Sequence, residues 1–162
     1  MKHVFYDNWL AKLILWSGYS TIMLYGFILS KLSKDRGNAR LENHEGTHQY
    51  QFIDCMVLGV ALFGLMTALF GFSGWFIFLA ISFFYLMYGG EWIVRIMYNI
   101  ATGDLSKFDN FMSYIVDANT KAYKAISFER EAKLNENDND YLGKKRKLFS
   151  YKFFKYYIGF KS

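Results

Sequence analysis

The chain has 162 residues, of which 53% are hydrophobic, 21% aromatic and 20% charged, with no proline and a formal net charge of +5. That length suits one domain, and the 17 Phe, 13 Tyr and 4 Trp exclude a disordered, collagen-like or linker-like chain. The single cysteine, Cys55, cannot close an internal disulfide, so no covalent staple holds the fold.

The N-terminal stretch Trp9–Ser30 supports two readings. As a membrane segment it is interrupted by Lys12 and weakened by Gly18, Tyr19, Ser20 and Thr21, although a lysine near the end of a span can snorkel. Its second half, near residues 21–30, is rich in β-branched and aromatic side chains, which suits a short strand or hairpin instead. A cleavable signal peptide does not fit, because no small-residue cleavage motif follows and Asp7 and Lys12 disturb the layout.

From Cys55 to Gly90 the sequence contains no Asp, Glu, Lys, Arg or His. One straight helix of that length would extend roughly 54 Å, well beyond the ~30 Å hydrocarbon core of a bilayer. The run must therefore fold back, and Gly71-Phe72-Ser73-Gly74 is its one turn-like interruption. Two helices, Cys55–Phe70 and Trp75–Gly90, are expected, each extended by flanking residues, with Trp75, Tyr85, Tyr88 and Trp92 available as interfacial aromatics. Neither half keeps a polar face, which favours a transmembrane hairpin over a buried soluble one. Lys31, Lys34, Arg36 and Arg40 precede it, Arg95 and Lys107 follow it, and the turn carries no base, so both ends are expected on the cytoplasmic side.

Beyond Glu91 the chain reads as mixed and helical. Residues 92–101 continue the membrane exit, Gly103, Asp104 and Ser106 mark a break, and residues 111–134 carry apolar side chains at helical spacing. Residues 135–140 read as a solvated connection. The tail 144–162 interleaves lysines with Phe149, Tyr151, Phe153, Phe154, Tyr156, Tyr157 and Phe160, a pattern suited to an anionic membrane leaflet rather than to nucleic acid.

The chemistry centres on His44-Glu45-Gly46-Thr47-His48, an H-E-x-x-H match that uses two of the chain's three histidines. Residues four apart share a helix face, so His44 and His48 can bind one Zn2+, while Glu45, rotated roughly 100° away, is placed to act as catalytic base on a water. A third protein ligand is needed. Glu42 projects to the opposite side and Asp54 is rotated away, whereas Glu91 leaves the hairpin on the same side and Glu129 and Glu131 sit on a second expected helix. Oxyanion donors are available in Tyr50, Tyr98, Tyr123, Lys124 and His3, with nothing in the sequence to rank them. His48 precedes Cys55 by about two helical turns, on the order of 10 Å, which sets the motif near the membrane boundary.

His44-Glu45-x-x-His48 followed by Glu129-Arg130-Glu131-Ala132 resembles the gluzincin class of zinc metallopeptidases, whose second helix carries a glutamate ligand in an E-x-x-A-D type motif. The resemblance implies Glu129 as the third ligand, with Glu131 as second choice, and it matches Ala132 to the motif's alanine. Lys133 stands where that class has an aspartate supporting a histidine. The layout from about Leu24 to Phe154 is also similar to that of small uncharacterised membrane proteins of Bacteroidetes type. In the gluzincin class a strand before the metal helix holds an extended peptide, a role that residues 21–29 would fill.

Together these readings imply a mainly α, single membrane-embedded domain: an apolar and basic N-terminal part (1–40), a metal-binding helix (41–54), a transmembrane hairpin (55–90), a helical segment carrying the third ligand (91–134) and a connection with a basic aromatic tail (135–162). The implied protein is an integral-membrane zinc hydrolase, most simply a metallopeptidase of a bacterial inner membrane, with lipid around it and a peptide or lipid-linked substrate at the cytoplasmic interface. The alternative is a non-catalytic membrane accessory protein whose metal is structural, closed by Glu131 or Glu91, or absent.

Overall fold

The computed structural model describes residues 4–15 and 19–157. The fold is mainly helical, with one small sheet.

The N-terminal ambiguity resolves into strands. Asn8 caps a six-residue helix α1, Trp9–Ile14, by accepting the N–H groups of Leu10 and Ala11, and the chain then forms β2, Thr21–Leu24, and β3, Phe27–Ser30. Trp9–Ser30 is therefore not a third membrane helix, because α1 ends at Ile14 and an extended hairpin occupies residues 21–30; Trp16, Ser17 and Gly18 lie outside the described residues. Tyr25 (φ 48°) and Gly26 (φ 84°) make the connection, the pair of left-handed residues that a two-residue type I′ hairpin requires. With β1, Val4–Phe5, parallel to β3, the sheet order is β1-β3-β2, which leaves β2 as an edge strand. Leu24 and Phe27 close the hairpin, so alternation of the antiparallel ladder turns the backbone groups of Met23 and Thr21 toward the open edge.

Helix α2, Ala39–Phe70, starts where Asn38 accepts the Leu41 N–H at 2.7 Å, and it runs unbroken for 32 residues. It stops at Gly71, whose φ of 81° few other residues tolerate, and α3, Gly74–Thr102, returns against it. The break falls at the turn the sequence indicated. The two helices approach most closely at Gly59, where an added Cβ would sit 2.6 Å from the Ala80 carbonyl oxygen and 2.8 Å from its Cα. Small residues at a crossing let backbones approach in this way.

Both helices are long and apolar enough to cross a membrane. Only 22% and 17% of their most apolar windows are buried in the molecule, whereas a core helix of a soluble protein would be mostly covered. Val60, Leu65, Leu69, Phe70, Trp75 and Phe78 each leave more than half of their surface exposed around the turn.

Helices α4, Phe111–Ala125, and α5, Ser127–Asn135, meet at Ile126 and pack beside α3 and α2 respectively. Glu91 ties this junction to α3: it accepts the Ser127 N–H at 2.9 Å and hydroxyl at 2.6 Å while pairing with Arg95 at 2.7 Å. The core is built from Met23, Phe52, Cys55, Phe84, Ile126, Phe128 and Phe153, one or two residues from almost every part of the chain.

One expectation fails in the C-terminal third. Residues 135–140 are not simply a solvated connection, since Glu136 is buried and bridges Arg40 at 2.7 Å and Lys133 at 3.0 Å. The described residues of the basic tail are tied to the core, while Lys144, Lys145, Lys147 and Lys155 stay exposed. Arg146 is fully buried, ion-paired to Asp54 at 3.0 Å and to Glu131, and Asp54 also accepts the N–H groups of Phe149 and Tyr151. Phe153 stacks on Phe128 with ring centroids 4.5 Å apart. A buried carboxylate pair recruited the tail because the cost of burying those charges is offset only by a cation and backbone donors.

Candidate metal centre

Helix periodicity puts His44, His48 and Gln51 on one face of α2, and α5 brings Glu129 to that face from across the bundle. The His44 and His48 Nε2 atoms lie 3.3 Å apart. Glu129 straddles them, with Oε2 3.4 Å from His44 Nε2 and Oε1 3.3 Å from His48 Nε2. Among the described residues this is the one group of three His, Cys, Asp or Glu side chains that could hold a metal ion. The donor set also fits one: zinc takes imidazole nitrogens and carboxylate oxygens, and the separation of the two Nε2 atoms is that of neighbouring ligand atoms about a tetrahedral zinc, about 3.3–3.4 Å. Two imidazoles and a carboxylate leave one tetrahedral position free.

Glu129 is held from the other side as well. The Tyr88 hydroxyl donates to its Oε1 at 2.7 Å, and the Tyr123 hydroxyl hydrogen-bonds to the same carboxylate. Burial pushes against ionisation of Glu129, yet the charges and hydrogen bonds of the His48 and His44 rings hold its carboxyl well below the usual range. Burial, with the Glu129 charge beside it, pushes the Tyr123 phenol well above its ordinary value, so Tyr123 stays a proton donor in hydrogen bonds.

His44 has a further carboxylate on its outer side. Glu136 Oε2 is 3.4 Å from His44 Nδ1, a nitrogen that has no well-directed hydrogen bond. Lys133 does occupy the position at which the resemblance has an aspartate, and the nearby carboxylate comes from one turn further along. Asn43 secures that turn by donating to the Glu136 carbonyl and to Asn139 Oδ1.

The other named residues are spread differently. Glu45 lines the same cavity as His44, His48, Glu129 and Tyr123, with the outward Met23 N–H of β2 against its carboxylate. Glu131 faces away, its oxygens engaged by Arg146, by Tyr141 at 2.9 Å and by Gln51 at 2.9 Å, and Glu91 is committed to Ser127 and Arg95. Of the suggested oxyanion donors Tyr123 lines the cavity. Tyr50 packs against Arg146, Tyr98 lines a separate cavity beside Arg95 and Asn99, and Lys124 is exposed on α4; His3 lies outside the described residues. Tyr88 was legible only as an interfacial aromatic; its tie to Glu129 appears once α3 and α5 are packed.

The cavity holds about 310 Å³ and is lined on one side by Leu15, Ile22, Met23, Phe84, Tyr85 and Tyr88. A second, more polar one, walled by Ser20, Asn38, Arg40 and Glu136, adjoins it across Tyr19, Thr21, His44, Glu45 and Tyr123. The edge of β2 thus borders a cleft that is apolar toward the hairpin and polar toward the start of α2. His48 itself packs on Phe84 and Tyr88, inside the charge-free run of α3, although on its own helix it precedes that run.

Comparison with protein-family models, with curated proteins and with solved structures finds no match to this chain.

Proposed function

We propose that the chain is an integral-membrane, zinc-dependent hydrolase, most simply a metallopeptidase working where the hairpin leaves the bilayer. The observation that carries this reading is the convergence of His44, His48 and Glu129: the two Nε2 atoms are 3.3 Å apart, a different oxygen of the Glu129 carboxylate lies against each, and one ligand atom from each residue falls within 4.8 Å of the others. These three residues would hold the metal; zinc bound there supplies a Lewis acid that polarises a carbonyl and acidifies water.

The remaining work falls to the chain. Glu45, buried in the cleft beside both histidines, takes the proton of the attacking water and returns it to the leaving group. Tyr123, kept protonated and lining the cavity, would turn its one O–H from Glu129 to the substrate oxygen as charge develops there. With the Met23 N–H turned to Glu45, the edge of β2 offers the Met23 carbonyl and the Thr21 backbone groups to an extended chain, the geometry by which a peptide adds to a sheet. A cleft apolar on its hairpin side suits a peptide bond close to a membrane segment better than a small polar metabolite. Basic residues at both ends of the hairpin favour a cytoplasmic site.

The test uses chain purified in detergent, with zinc measured by elemental analysis and hydrolysis followed on peptides that pair an apolar segment with a polar juxtamembrane sequence. The purified chain is expected to carry about one zinc, as a three-ligand site requires. Glu45→Gln should keep the metal and lose about 10²–10⁴-fold in turnover, while His48→Ala should lose both. Full turnover in Glu45→Gln would remove Glu45 as base, and failure of the wild-type chain to bind zinc would remove the reading itself.

A further inference from the structure

Gln51 lies one turn beyond His48, fully buried, with three hydrogen bonds to its amide. Its Oε1 is 2.7 Å from His48 Nδ1, and its Nε2 is 2.9 Å from Glu131 Oε2 and 3.0 Å from the Phe128 carbonyl oxygen. The chemistry of these partners decides which way the amide faces. A backbone carbonyl can only accept, and Glu131, paired with buried Arg146 and receiving the Tyr141 hydroxyl, is likewise an acceptor. The NH2 end must therefore point at Phe128 and Glu131, which leaves the carbonyl end facing His48. An amide carbonyl facing Nδ1 needs a proton on that nitrogen, so the neutral ring keeps its lone pair on Nε2, the atom directed at His44 and Glu129.

We infer that Gln51 is the positioning residue that fixes His48 in its Nδ1-protonated tautomer, and that the Glu131–Arg146 pair together with the Phe128 carbonyl fixes Gln51. Glu131 then acts on the metal centre through two intervening side chains rather than as a ligand. The C-terminal segment, through Arg146 and Tyr141, becomes the outer support of a ring on α2. Supporting partners of this kind typically change metal affinity about 10–100-fold when removed. This inference rests on the zinc reading for its consequence, but the tautomer itself can be read without metal or substrate.

The experiment uses the full chain in detergent, labelled with [15N]histidine; the sequence holds only three histidines, so long-range proton–nitrogen spectra are sparse. In metal-free protein at alkaline pH, where the rings are neutral, His48 should show a protonated Nδ1 and a bare Nε2. Gln51→Met keeps the bulk and removes the acceptor: the tautomer should become mixed, and zinc affinity should fall about 10–100-fold. The change of tautomer is a readout that a purely structural role for Gln51 would not move. If Gln51→Met does not fold, the wild-type spectrum decides. A bare Nδ1 on His48 in the wild type, or zinc affinity in folded Gln51→Met within about twofold of wild type, overturns the inference. A wild-type chain that takes up no zinc sinks the hydrolase proposal alone, because the tautomer is still measured.

Discussion

Helix α2 joins two halves of opposite character on one rod. Its first half buries Asn43, Glu45, Thr47, His48, Gln49, Gln51 and Asp54 and surrounds them with α5, β2 and the C-terminal segment. Its second half turns Val57, Val60, Leu65 and Leu69 outward and meets little besides α3. In water the arrangement would be inverted, since polar side chains would sit outside and apolar ones inside. The contrast follows from what can satisfy each group. A buried amide or carboxylate needs fixed partners, which the polar half supplies in a continuous network, while the apolar half needs only an environment that does not penalise hydrocarbon.

The comparison breaks most visibly at its charged centre. Arg146→Leu leaves Asp54 and Glu131 buried without their cation, and should cost about 3–5 kcal/mol, read as a lowered unfolding midpoint in mixed micelles. At the other end, Leu65→Arg introduces a charge in the middle of the exposed apolar face. If lipid surrounds that face, the change should cost about 2.5–3.5 kcal/mol in a membrane-insertion assay. If water surrounds it, the same substitution should shift stability by no more than about 0.5 kcal/mol, and the two-environment description of α2 would be wrong.

A smaller effect separates two glycines within the apolar half. Gly59→Ala drives a methyl into the Ala80 backbone and should destabilise the hairpin by about 1–3 kcal/mol, because the helices must part. Gly64→Ala meets nothing within 4 Å and should instead stabilise α2 by about 1 kcal/mol, the ordinary helix preference of alanine over glycine. Thermal unfolding of the two variants side by side tests whether the crossing at Gly59 is the contact that sets the helix spacing.

Some of this organisation was written locally. The turn at Gly71 follows from a charge-free run too long for one span, and the pairing of His44 with His48 follows from their spacing on a helix. Gln51 could have been found in the same way, since it stands three residues after His48 on the same face, but an amide carries no signature that separates a partner of a ring from an ordinary polar residue. Glu136 lies seven residues after Glu129, again on one side of a helix, yet the polar run 135–140 around it read as solvated. Choosing between Glu129 and Glu131 depended on the resemblance, because both stand on the same short helix. The structure brings Glu129 to the histidines and turns Glu131 to Arg146.

The sequence by itself determined the elements whose cause is short-range: hydrophobic length, helical periodicity and the glycines that end a helix act within a few turns of chain. Tertiary structure alone decided which carboxylate joins the histidines, that Arg146 is drawn inside to meet Asp54 and Glu131, and that Tyr88 backs the site rather than only lining an interface. Those outcomes depend on residues 15 to 92 positions apart finding complementary charge or hydrogen-bonding partners, and no local pattern encodes which distant group will arrive to satisfy a buried one.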